Sequence, residues 1–170
     1  MDHQHDESLL FGGVFRAKLI HVDGREDEWE DLNLVVNQGL NSILSVYFNG
    51  GTPINNWFMG IFQGNYTPQP TDTAANIAAN STECSSYTGG ARPQWQPAAP
   101  TAQSISNSAN PATYTFNANI TIYGAFLISS NVIGGTAGTL FSEALFSSPK
   151  AVNSGDQLLL TYTFQASSGP

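Results

Sequence analysis

The sequence predicts a mainly β, single-domain sandwich, jelly-roll-like in its strand pattern, with one or two short α-helices. Three observations lead there. Turn-forming residues recur about every 8–12 positions along the 170-residue chain, the spacing of short strands joined by tight connections. In ATYTFNANITIYGAFLIS, Tyr114, Phe116, Ala118, Ile120 and Ile122 alternate with Thr115, Asn117, Asn119 and Thr121, the period-two signature of a half-buried strand. Only LNLVVNQGLNSILSVYF, residues 32–48, carries a clear helical signal. There Leu32, Leu34 and Val36 alternate, and Leu40, Ile43, Leu44, Tyr47 and Phe48 then recur at helical spacing.

Taken in order, residues 1–11 read as a flexible acidic arm and residues 12–170 as the folded domain. GGVFRAKLIHV (12–22) is a strand with imperfect alternation, and Asp23-Gly24 is a hairpin turn. The returning strand runs from about Glu26 to Val36, and its EDEWED portion faces solvent or a partner. Asn37 is the expected N-cap of a helix over about 38–48, closed by Asn49-Gly50-Gly51. NWFMGIF (56–62) is a continuous apolar run suited to a buried central strand. A short Ala-rich helix near 74–80 is capped by Thr71 or Thr73. The two prolines around Arg92–Gln96 confine that segment to a sheet edge. Gly124 marks a bulge or twist between two strands. TLFSEALF (139–146) follows the Gly134-Gly135 turn, Pro149–Ser154 reads as a loop, and LLLTYTFQAS is the last strand.

Charge bounds the function. Charged residues make up 11% of the chain, against roughly 25% in ordinary soluble domains, whereas Asn, Gln, Ser and Thr account for 55 residues. Such a surface of neutral amides and hydroxyls tolerates close protein neighbours. The net charge of −8 is concentrated in residues 1–31, which hold nine of the thirteen acids. Five basic residues in all argue against nucleic-acid binding, because a phosphate backbone needs clustered Lys and Arg. The chain opens MDHQHDES, with no signal-peptide pattern, and no apolar run is long enough to span a bilayer. Cytoplasmic synthesis without export, and no membrane partner, are therefore expected. Cys84 is the sole cysteine, so no internal disulfide can form.

Residue patterns for catalysis are sparse. Acid–base hydrolysis needs two carboxyl groups placed across a bond, and beyond residue 31 the acids are Asp72, Glu83, Glu143 and Asp156. Asp72 and Glu83 could meet, but read more simply as a helix cap and a surface hydrogen bond. His3 and His5 lie in the arm and His21 on the hairpin, without a nucleophile motif. His3-Gln4-His5-Asp6-Glu7 offers ligands of the type zinc or nickel takes, at the level of adventitious binding. The glycine pairs lack the contexts of phosphate loops, and the three Asn-x-Thr/Ser matches are of the number chance gives in so Asn- and Thr-rich a chain. No enzyme and no cofactor are expected. Among the aromatics, Trp95 and Tyr87 are the candidates for stacking on a sugar.

The order of short motifs is informative. Gly12-Gly13-x-Phe15, the hairpin with Trp29-Glu30-Asp31, Asn33-Leu34-Val35-Val36-Asn37-x-Gly39-Leu40-Asn41 and Trp57-Phe58-x-Gly60-Ile61-Phe62 come first. Asp72-Thr73-x-Ala75, Glu83-x-x-x-Tyr87, Arg92-Pro93-x-Trp95, Ser106-Asn107-Ser108-Ala109 and Gly124-Ala125-Phe126-Leu127 follow. In this order the chain resembles a family of small structural proteins from tailed bacteriophage virions. The resemblance implies a non-enzymatic virion component without cofactor, assembled in the host cytoplasm. The leading expectation is a capsid decoration (cement) protein that forms a trimer or dimer and clamps the major capsid protein or another virion protein. A neck, tail or baseplate component is the alternative, and a glycan-binding module for host adsorption a further one. The expected partner contacts are Phe11 and Phe15 beside the arm, Glu28, Trp29 and Glu30 on the hairpin, and Trp95.

Overall fold

A computed structural model describes residues 9–168. Two five-stranded antiparallel sheets face one another in a sandwich. The first contains β1 (Leu9–Ile20), β2 (Glu26–Leu32), β6 (Ser104–Ser106), β7 (Ala112–Thr115) and β10 (Gln157–Ser168). The second contains β3 (Leu34–Val35), β4 (Trp57–Phe62), β5 (Gln94–Trp95), β8 (Ile120–Ile128) and β9 (Leu140–Val152). Their orders are β2-β1-β10-β6, with β7 also on β10, and β3-β9-β8-β4-β5. Two helices, α1 (Asn37–Phe48) and α2 (Ile77–Asn80), complete the described chain.

The core lies between the sheets. Phe15, Ala17 and Leu19 of β1 point inward from alternate positions and meet Leu158, Leu160 and Tyr162 of β10 on the same face. Met59, Ile61, Ala125, Leu127 and Ala144 close it from the other sheet. Tyr114 is wholly buried, and its hydroxyl donates to the Met59 carbonyl across the core at 2.7 Å, which gives its polar atom a partner inside an apolar space. A second, smaller layer covers the far face of the second sheet, where Phe62, Phe126, Ile128 and Leu140 pack under Ala74 and Ile77.

Two glycine–phenylalanine pairs set the middle of that second sheet. Gly60 sits opposite Phe126, and Phe62 opposite Gly124. A Cβ at either glycine would overlap the facing ring. The rings thus lie directly on the bare backbone of the neighbouring strand, covering positions that lack a side chain of their own.

Several expectations needed correcting. The returning strand of the first hairpin stops at Leu32, and β3 begins at Leu34 in the other sheet. Asn33 makes the crossing, its N–H bonding Gly13 O and its amide donating to Tyr162 Oη. Asn37 does not cap α1: the N-cap is Val36 and no side chain caps the helix. Gln38 does the joining here, its Oε1 accepting from Ala74 N and Leu140 N. The alternating run 114–122 belongs to two strands in different sheets, because the chain crosses over at residues 116–119. The expected bulge at Gly124 is present as a register shift between Ile122 and Gly124. β9 continues through Pro149 to Val152, where a loop was expected; the shift from Leu145 to Lys150 in its pairing places Pro149 inside the irregularity, where no ladder donor is needed. Residues 9–11 of the expected arm are part of β1, paired with Ala166–Ser168, and the remainder of the arm, with its His3–Glu7 ligand pattern, lies outside the described residues.

Candidate functional site

The hairpin presents one candidate surface. Its turn is built as expected, with His21 N donating to Arg25 O, Asp23 Oδ1 accepting from Arg25 N, and Gly24 at φ 85°. Along β2, Glu26, Glu28, Glu30 and Leu32 point to solvent, and Asp27, Trp29 and Asp31 turn inward. The outward acids already hold cations from β1: Arg16 binds Glu30 at 2.7 Å, and Lys18 binds Glu26 at 2.7 Å and Glu28 at 3.6 Å. Exposed pairs of this kind add little stability, and six acids against Arg16, Lys18 and Arg25 over residues 16–31 leave the face negative. A shallow groove of about 440 Å³ runs over it, lined by Arg16, Lys18, Glu28, Glu30, Leu159 and Thr161.

The second surface is a cleft of about 480 Å³ where α1 leans over the open end of the sandwich. An aromatic ladder forms its floor. Phe11 stacks on Phe164 at 5.8 Å, Phe164 meets Phe141 edge-on at 5.1 Å, and Phe141 meets Trp57 edge-on at 5.3 Å. Ile43, Val46 and Tyr47 of α1 supply one wall. No residue lining the cleft is charged. Beside it the apolar face of the helix is divided: Leu40 and Ile43 pack against the core, whereas Leu44, Tyr47 and Phe48 are 54%, 78% and 83% exposed. Gly39 is the only fully buried residue of α1, pressed against the Phe141 backbone. Three large apolar side chains grouped on one helix face are the kind of exposed patch that marks a protein contact.

Three buried polar clusters brace the scaffold. His21 is held between two carboxylates, Nε2 against Asp27 and Nδ1 against Asp156, both at 2.9 Å. The bond to Asp27, then that to Asp156, raises its pKa above the usual value in spite of burial. Asp156 also accepts from Val22 N and Asn153 N. This histidine is firmly placed, but both ring nitrogens face carboxylates and neither faces a nucleophile. Glu83 and Arg92 form a buried bidentate pair at 2.6 and 2.8 Å. Arg92 also donates to Ser130 O and lies over the Phe126 ring, and Glu83 accepts from Gly134 N. Glu83 is therefore no surface group.

Asp72 meets Glu143 rather than Glu83. Glu143 is wholly buried, and neither of its oxygens has a donor from another residue. Burial first, and the Asp72 carboxylate second, push its carboxyl up to about 9. In the protonated form it can donate to Asp72, which already accepts from Tyr66 Oη and Gln69 N at 2.8 Å each. A shared proton between two carboxyl groups is acid–base chemistry in principle. With Glu143 shut away from solvent, such a proton would tie the 66–72 loop to β9.

Of the expected contact residues, Glu28 and Glu30 are exposed on the hairpin and Phe11 lines the cleft. Phe15 is core, 4.6 Å from the Tyr162 ring. Trp29 is half-buried against Phe146, with Lys150 Nζ 4.7 Å above its ring. Trp95 is buried, its Nε1 donating to Asn107 Oδ1 and Tyr162 O at 3.1 Å. Tyr87 is buried as well, so neither ring candidate is free to stack on a sugar. The exposed end of α1 escaped the sequence reading, because helical periodicity reports an apolar face without reporting what covers it. Among the described residues no group of His, Cys, Asp and Glu could hold a metal ion, and no helix is long and apolar enough to cross a membrane, which says nothing of β-barrels. No protein-family model matches the chain, and comparison with curated proteins gives no match.

Proposed function

We propose that the chain is a structural protein of a tailed-bacteriophage virion, acting as a capsid decoration (cement) protein that oligomerises and contacts neighbouring capsid subunits. The observation that carries this reading is the pair of unlike surfaces: a negative strand at one edge of the first sheet, and an uncharged aromatic cleft with an exposed helix face beside its other edge. A molecule with two such faces joins neighbours, and several modest contacts made together gain effective concentration that none has singly. The motif order that resembles phage virion proteins supports the same reading, as does the low-charge surface. A jelly-roll-like path for the strands belongs to this proposal. On this reading the hairpin meets a basic patch of the shell, Glu28 and Glu30 being among its exposed acids, and the chain binds neither nucleic acid nor membrane.

Cryo-electron microscopy of the particle encoded with this chain is the test. Density repeated over the shell, in hundreds of copies, is the expected result. Density confined to the neck, tail or baseplate, at a dozen copies or fewer, would refute the decoration role, and absence from the particle would refute the virion assignment.

A further inference from the structure

We propose that the cleft and the exposed tip of α1 form one self-complementary surface, through which two copies of the chain pair about a two-fold axis. Tyr47 and Phe48 of each copy enter the cleft of the other, onto the ladder that Phe11, Phe164 and Phe141 make. The inference deepens the virion reading and rests on it for its biological setting.

Geometry is the first argument. An isologous interface requires a projection and its matching recess on the same patch. Here both exist side by side: Tyr47 lines the cleft with part of its side chain, yet is 78% exposed, and Phe48 on the next position is 83% exposed.

Charge is the second. A chain of net charge −8 repels its own copies wherever acids face one another. The cleft has no charged residue, and α1, NQGLNSILSVYF, has none either. The acids of β2 pair only with the Val14–Ile20 half of β1, at the opposite edge of the sheet from β6. The nearest acid of β2, Asp31, pairs with Phe15, four residues of strand from Phe11 and so roughly 13 Å along it, still beyond the screening length of about 8 Å in physiological salt. A second copy can therefore dock here with its hairpin held away from the first. A partner chosen for opposite charge would find nothing to read in this cleft, whereas a like-charged copy meets no acid among the residues that line it.

Area is the third. Aromatic side chains bury roughly 150–250 Å² each. Two from each copy, with the cleft walls they cover, bring the total to roughly 1,000 Å², the threshold of a specific interface.

Sedimentation velocity of the full chain across the micromolar range tests this, comparing the native sequence with Phe48→Glu and Tyr47→Lys. A dimer is expected for the native chain and monomers for both variants, with circular dichroism unchanged, and melting unchanged at dilutions where the native chain is itself monomeric, since both side chains are exposed within one copy. Hydrogen exchange of the native chain adds a readout independent of the variants: protection of 42–57 and 104–106 rises with concentration. A monomeric native chain, or an oligomer that both variants leave intact, would overturn the proposal. So would density for a shell subunit in the cleft on the particle, because another chain would then be the occupant. A solution dimer that never joins particles would refute the virion reading and leave this one standing.

Discussion

Replacing Glu143 by Gln is expected to stabilise the protein at alkaline pH and to change little in mild acid. The native carboxyl sits at about 9, against an ordinary 4.5 in the unfolded chain. The folded state therefore binds a proton that the unfolded state releases between those values. Stability from this group is complete below pH 4.5 and drains away as pH rises towards 9. One pH unit in this window corresponds to about 1.4 kcal/mol, so between pH 5 and pH 8 the loss is on the order of 3–4 kcal/mol for a group titrating alone. Glutamine has nearly the same volume, carries no charge in either state, and offers Asp72 an amide N–H where the carboxyl offered O–H. Urea denaturation at pH 5 and pH 8 is the assay, with equal slopes confirming comparable unfolding. The variant should match the native chain within about 1 kcal/mol at pH 5 and exceed it by roughly 3 kcal/mol at pH 8. In melting temperature that is roughly 6–12 °C for a chain of this size. A variant weaker than the native chain by the same margin at both pH values would show that Glu143 is ionised in the fold, and would refute the argument.

Three more outcomes are expected. His21 should titrate with a midpoint above its usual 6.5, because Asp27 and Asp156 favour the charged ring. Its contribution to stability is therefore full below pH 6.5 and lost above the raised midpoint; an imidazole proton resonance moving at or below 6.5 would contradict the clamp. Glu83→Gln should cost about 3–5 kcal/mol by leaving the Arg92 guanidinium buried without its counter-charge, whereas adding Arg92→Met should recover much of that loss in chemical denaturation. No recovery in the double variant would mean that the pair is not the source. Trp95→Ala should cost about 3–5 kcal/mol as a core truncation, read by thermal melting, and near-native stability would place the ring outside the core.

The sequence disclosed the parts of this fold that depend on local periodicity. The Asp23-Gly24 hairpin, the buried run ending in Ile61-Phe62, the edge position forced by Pro93 and Pro97, and the glycine exit of α1 all follow from backbone chemistry within a few residues. What it concealed depends on distant partners. Alternation through Tyr114 and Ile122 is identical whether one sheet or two receive the strand, so the crossover left no trace. Asn107 was one amide among many, yet its side chain joins Leu160 O, Tyr162 N and Trp95 Nε1. The approach of Glu143 to Asp72 left no trace either, because 71 positions separate them. For the surfaces, acidity located the hairpin face directly, whereas the cleft required knowing which of many aromatics the core leaves uncovered.

The facing of Gly60 by Phe126 and of Gly124 by Phe62 restricts how this protein can change over time. Enlarging a glycine ejects the ring above it, and trimming the ring first opens a void over naked peptide groups. Either order passes through a poorly packed intermediate, and at Gly124 the Ala144 carbonyl bars a Cβ even with the ring removed. The hairpin rim and the tip of α1, both exposed, are by contrast places where a substitution can be accommodated without disturbing the frame beneath.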